Sequence, residues 1–189
     1  RETLSALRMN GNSIQPVFLG YRYYFLDMKF IRYRAKIWDK KTTQSDLISV
    51  IRQYRPEVVV THAESGELED GMRVFLSEMV CDSIASAADG RKDKESGKLY
   101  SSWTVKKLYL NTTGSDESAA DLTALPTEET YILDLSGETC AEKAQEGLKA
   151  YKTLGVFHYD ISDAYTGLQL VRTSVGPDYD LTDLFEHID

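Results

Sequence analysis

Three consecutive valines, Val58-Val59-Val60, lie between two stretches of helical periodicity, and this arrangement restricts the fold more than any other feature of the chain. A β-branched run without polar alternation fits a strand covered on both faces, as in the centre of a parallel sheet. Upstream, Leu47, Ile48, Val50, Ile51 and Tyr54 recur at helical spacing over Asp46–Tyr54. Thr43 with Asp46 approximates a capping box there, and Pro56 stops the helix. Downstream, Met72, Phe75, Leu76, Met79, Val80 and Ile84 make one stripe along Met72–Ala87, and Val105–Leu110 reads as the next strand. Alternating helices and strands pack as layers. The expected fold is α/β: a Rossmann-like, mostly parallel sheet with helices on both faces.

The flanking segments extend this pattern. Thr3–Asn10 predicts a helix ended by Asn10-Gly11, and Pro16–Leu19 predicts a short strand. Asp89–Gly97 reads as a charged loop, and residues 111–130 as a polar connection. Tyr131, Leu133 and Leu135 alternate as a strand, Thr139 and Glu142 form a second capping box, and Leu168–Val171 predicts a last strand. With 189 residues, one domain over 1–189 is expected. Sheets of this class begin at their centre, yet this sequence opens on Arg1 and a helix. The expectation is therefore a domain incomplete at its N-terminus, its first strand–helix unit missing. A missing strand leaves backbone groups unpaired, so a homo-oligomer or a complementing segment is expected to cover them.

Composition narrows the partners. Apolar residues make up 42% and charged residues 28%, as in soluble globular chains. The net charge of -8 repels phosphate backbones and anionic lipid, which argues against nucleic acid and against a membrane surface. No apolar run approaches the ~20 residues that span a bilayer. Cys81 and Cys140 are far apart in sequence, and two buried thiols are the simpler reading than a disulfide.

In open α/β sheets, ligands bind beyond the carboxyl ends of parallel strands. Here that position is Thr61-His62-Ala63-Glu64-Ser65-Gly66-Glu67-Leu68-Glu69-Asp70-Gly71-Met72-Arg73, the one dense polar constellation in the sequence. The stretch Arg55-Pro56-Glu57-Val58-Val59-Val60-Thr61-His62, followed by Gly66-Glu67, resembles the middle motif of the PIG-L (LmbE-like) deacetylases. These are zinc enzymes that remove N-acetyl groups from sugar conjugates such as those of N-acetylglucosamine. Pro16–Gly20, Ala144–Gly147 and Arg172–Asp178 are similar to further segments of that family.

The resemblance implies a substrate-binding set of His62, Glu67, Asp70 and Arg73, with an N-acetylated sugar conjugate as partner. It also exposes departures. The His-Pro-Asp-Asp run that supplies two zinc ligands and the general base in the family has no counterpart here. Aligned from Gly66-Glu67, the family's Gly-His-x-x-His histidines fall on Asp70 and Arg73, and a histidine common in its late helix falls on Tyr151. A hydrolytic zinc site needs about three lone-pair donors and an open position. Arg73 offers no lone pair and carries a permanent positive charge. The reading is a scaffold without catalytic residues and without a metal set or cofactor as given. The competing reading is a zinc-dependent deacetylase whose first metal motif lies outside this chain and whose third ligand is Asp70.

Other signals have simpler explanations. His62 fits a strand-end imidazole bonded to backbone as well as a substrate contact. His158 and His187 read as surface or packing residues, and Glu64, Glu67, Glu69 and Asp70 as a solvated acidic loop without calcium-loop spacing. Tyr21–Trp38 mixes seven aromatic residues with five basic ones. Such a mixture can stack on sugars or bases, but Leu26, Phe30, Tyr33 and Ile37 at helical spacing favour core packing.

Overall fold

The computed structural model describes residues 1–65, 70–111, 124–126, 132–133, 138–152, 167–180 and 183–188. Along the chain run α1 (Glu2–Met9), a 3-10 turn (Met28–Tyr33), α2 (Arg34–Ile37), α3 (Lys40–Tyr54), β1 (Val58–Thr61), α4 (Gly71–Ala88) and α5 (Lys94–Gly97). After these come β2 (Lys107–Asn111), β3 (Ala124–Pro126), β4 (Ile132–Leu133), β5 (Glu138–Thr139), α6 (Cys140–Leu148) and β6 (Gly167–Thr173). The chain divides into two compact units, residues 1–19 with 127–166 and residues 20–126 with 167–189.

The larger unit is built around β1, α4 and β2. Helix α3 starts earlier than the Thr43 signal suggests. Asp39 caps it, accepting from the Thr42 amide at 2.8 Å, while Thr43 lies inside the helix with 2% exposure. The helix ends where Arg55 turns left-handed at φ 51 and Pro56 follows. Asp70 caps α4. Strands β1 and β2 pair in parallel, Val58 opposite Lys107 through Thr61 opposite Leu110, with α4 as the crossover between them. Ile48 and Ile51 of α3, Ile84 and Ala87 of α4, and Val105 and Leu108 form one core cluster. Leu26, Met72, Phe75 and Met79 form a second.

The α/β class holds, but the sheet differs from expectation among the described residues. Its order is β1-β2-β6-β3, and only the β1–β2 pair is parallel; β6 is antiparallel to both neighbours. β1 stands at the end of that order, with Val60 49% exposed. A run of valines reports a preference for the pleated conformation, not how many strands will lie beside it. Nor, among the described residues, do helices cover both faces of β2. Leu108 faces the α3–α4 core, while Lys107 and Tyr109, on the alternate face, bond to Asp178 and the Leu184 carbonyl of the C-terminal segment. Pro16–Leu19 is not a strand; Val17 and Phe18 are 49% and 64% exposed.

The smaller unit holds α1, the β4–β5 hairpin pairing and α6. The capping box at its start forms as its sequence predicts, with the Glu142 amide donating to Thr139 Oγ1 at 3.1 Å and the Thr139 amide to Glu142 Oε2 at 2.8 Å. α1 packs on α6, and Gly147 faces Asn10 with no room for a Cβ between them. Tyr131 and Leu135 lie outside the described residues.

Candidate functional site

Two features meet beyond the carboxyl end of β1: a clamp at the start of α4 and a cleft along its middle. The clamp centres on Asp70, whose carboxylate is buried at 1% exposure. Its Oδ1 accepts from the Met72 amide at 2.9 Å, capping the helix, and from the Leu26 amide at 3.1 Å. Its Oδ2 accepts from the Tyr23 hydroxyl and lies 3.7 Å from Nε of Arg73. Leu26 returns a bond from its own carbonyl, which accepts from the Gly71 amide at 2.7 Å. An acidic side chain at this position satisfies orphan amides at the positive end of the helix dipole. Burial, and then the bond to Asp70, raise the pKa of Tyr23, with Arg73 opposing.

Of the four residues proposed from sequence, Asp70 and Arg73 are therefore brought together. They form an ion pair in which the Asp70 carboxylate also accepts from two backbone amides and a tyrosine hydroxyl. Arg73 keeps 30% side-chain exposure. His62 is half-buried just past β1, and its carbonyl accepts from Ser77 Oγ at 2.8 Å, which ties the loop to α4. Glu67 lies outside the described residues, as does His158. His187 sits in the C-terminal turn, edge-on to Tyr179 with ring centroids 6.1 Å apart.

The residues present do not suit a zinc ion at Asp70. The partners of its carboxylate are the Met72 and Leu26 amides, the Tyr23 hydroxyl and the Arg73 cation, so a metal there would have to displace a helix cap and face Arg73. Among the described residues, no group of three or more His, Cys, Asp or Glu side chains is placed to hold a metal ion.

The cleft has a volume of about 400 Å³ and is lined by Lys40, Glu64, Ser77, Glu78, Cys81 and Asp82. Lys40 lies 3.6 Å from Asp82, and Arg34 3.2 Å from Glu78. Burial, then the charges of Glu64 and Asp82, push the Cys81 thiol pKa up, which favours its protonated form. Sequence reasoning named Glu64 as part of an acidic loop and Cys81 as a buried thiol, and it did not single out Ser77, Glu78 or Asp82 of α4. It also missed Tyr23, which meets Asp70 across 47 positions with no local signal to link them.

No protein-family model matches this chain, and no curated protein matches it. No helix among the described residues is long and apolar enough to cross a membrane.

Proposed function

We propose that this chain is a PIG-L-like deacetylase scaffold that has lost its catalytic metal site and binds an N-acetylated sugar conjugate without hydrolysing it. The observation that carries this reading is the state of Asp70. The position where the family would place a histidine holds a buried carboxylate that caps α4, holds Leu26 and Tyr23, and pairs with Arg73. Arg73 in turn stands where the ligand histidine would be. The β1–α4–β2 unit supports the Rossmann-like part of the reading, and His62, just past β1, is the described residue proposed to meet the sugar, with Glu67 proposed beside it from sequence alone. A complementing strand, from a second copy or another segment, fits the side of β1 that has no strand partner among the described residues.

The competing reading, a zinc-dependent deacetylase completed by a motif outside this chain, needs Asp70 to abandon its amide partners and turn toward a metal. No contact of Asp70 favours that. Elemental analysis of freshly purified protein, together with an acetate-release assay on N-acetylglucosamine conjugates, separates the two. The expected result is no stoichiometric zinc and no turnover, with saturable binding of the conjugate. About one zinc per chain accompanied by acetate release would overturn the proposal. Arg73→His alone is expected to leave the acetate assay flat, since one imidazole does not make a site.

A further inference from the structure

The stretch from Arg22 to Trp38 is amphipathic in a way the core does not explain. Leu26 is buried with Met72, Phe75 and Met79, and Ile37 and Trp38 pack against that same cluster, so these three anchor the stretch on α4. Other side chains of the stretch remain outside. Phe25 is 62% exposed, Phe30 50% and Tyr24 46%. Exposed phenylalanines offer water no polar group, and two of them with Tyr24 in one short stretch mark a surface that meets something apolar.

Charge defines what that something is. Arg22–Trp38 carries five cations against the single carboxylate of Asp27, a net +4 inside a chain of net -8. Arg34 is neutralised by Glu78 at 3.2 Å, and Lys29 lies 3.6 Å from Asp27. Arg22, Arg32 and Lys36 have no carboxylate partner among the described residues. Arg32 and Lys36 instead converge on the Tyr33 ring, at 4.8 Å and 5.1 Å from its centroid, with the Phe30 ring 6.4 Å away. Arg22 stacks on Tyr24 at 5.1 Å. Cations laid over aromatic rings, next to exposed phenylalanines, are the surface chemistry of an interfacial membrane anchor: rings enter the headgroup boundary while guanidinium and ammonium groups meet lipid phosphate.

We infer that this face of the larger unit docks on an anionic lipid surface. The acidic remainder of the chain does not prevent it, because charges farther off than the Debye length of about 8 Å are largely screened at physiological salt. A carbohydrate platform fits less well. Sugar hydroxyls need acceptors as well as donors, and the neighbours here that lack a carboxylate partner, Arg22, Arg32 and Lys36, can only donate. The inference does not depend on the proposed sugar site, which involves other residues.

The test is co-sedimentation of the whole chain with vesicles of phosphatidylcholine alone and of phosphatidylcholine mixed with phosphatidylserine, with polyglutamate as a soluble anionic competitor. Two variants accompany it: the charge reversal Arg22→Glu/Arg32→Glu/Lys36→Glu, and Phe25→Ser/Phe30→Ser. All five side chains are exposed, so circular dichroism and the melting temperature should match the parent. Binding only to the phosphatidylserine vesicles is expected, weakened at about 1 M salt where the Debye length is about 3 Å. The charge reversal should lower it about a hundredfold, from the attraction each cation has for an anionic leaflet. The serine pair should lower it about tenfold through lost apolar burial. Equal pelleting on both vesicle types, no pelleting on either, full competition by polyglutamate, or unchanged binding by folded variants would each overturn the inference.

Discussion

At the scale of single residues, the molecule places charges inside and surrounds each with its own partners. Lys107 has a fully buried side chain and lies 2.5 Å from Asp178, which also accepts from the Tyr109 hydroxyl. Removing one partner of such a pair strands the other, which costs about 3–5 kcal/mol, whereas replacing both with apolar residues costs much less. Asp178→Ala should therefore lower unfolding stability by that amount, and Lys107→Met/Asp178→Leu by clearly less, as read from a urea double-mutant cycle. Burial, then the bond to Asp178, raise the pKa of Tyr109. An unfolded tyrosine ionises near about 10 while the folded one resists, so stability should be intact below that pH and decline above it. Tyr109→Phe should flatten that alkaline decline in denaturation curves taken at rising pH. Asp70 belongs to the same scale. Asp70→Ala should cost about 2–4 kcal/mol in a thermal or urea melt, since it unmakes a helix cap and leaves the Leu26 amide and Arg73 without their carboxylate.

Between elements, two devices set the geometry around α4. At its carboxyl end, the buried guanidinium of Arg52 from α3 donates to the carbonyls of Ser86, Ala87, Asp89, Lys92 and Asp93 and to Ser96 Oγ. A planar fork with five N–H donors can satisfy a ring of carbonyls that lysine's compact ammonium cannot. This is why residues 89–97, a charged loop by sequence, form an ordered turn containing α5. Arg52→Lys should cost about 2–4 kcal/mol by urea unfolding and speed amide exchange through residues 89–97. At the amino end of α4, a Cβ on Gly71 would come 3.2 Å from both the Leu26 carbonyl oxygen and Ile31 Cγ1. The carbonyl is fixed backbone that cannot yield easily, so Gly71→Ala should destabilise by about 1–3 kcal/mol on the same measurement.

Across the larger unit, β2 and β6 each have a partner on both sides, and β2, between parallel β1 and antiparallel β6, has its first four residues buried. Its amides should be among the slowest to exchange with deuterium, exchanging only with global opening, and those of β1 faster. What the sequence alone determined is local: helix limits at Arg55-Pro56, the Thr139–Glu142 capping box, the valine strand, and the stripe of Met72, Phe75, Met79 and Ile84. Each is a signal between neighbours a few residues apart, where spacing and backbone chemistry suffice. The tertiary structure decided the rest. The Tyr23–Asp70, Arg52–Asp93 and Lys107–Asp178 contacts join residues tens of positions apart, and the burial of Asp70 depends on Leu26 and Tyr23 arriving over it. The direction of β6 and the edge position of β1 were equally hidden, because strand propensity describes one chain segment while sheet order is a property of which segments meet.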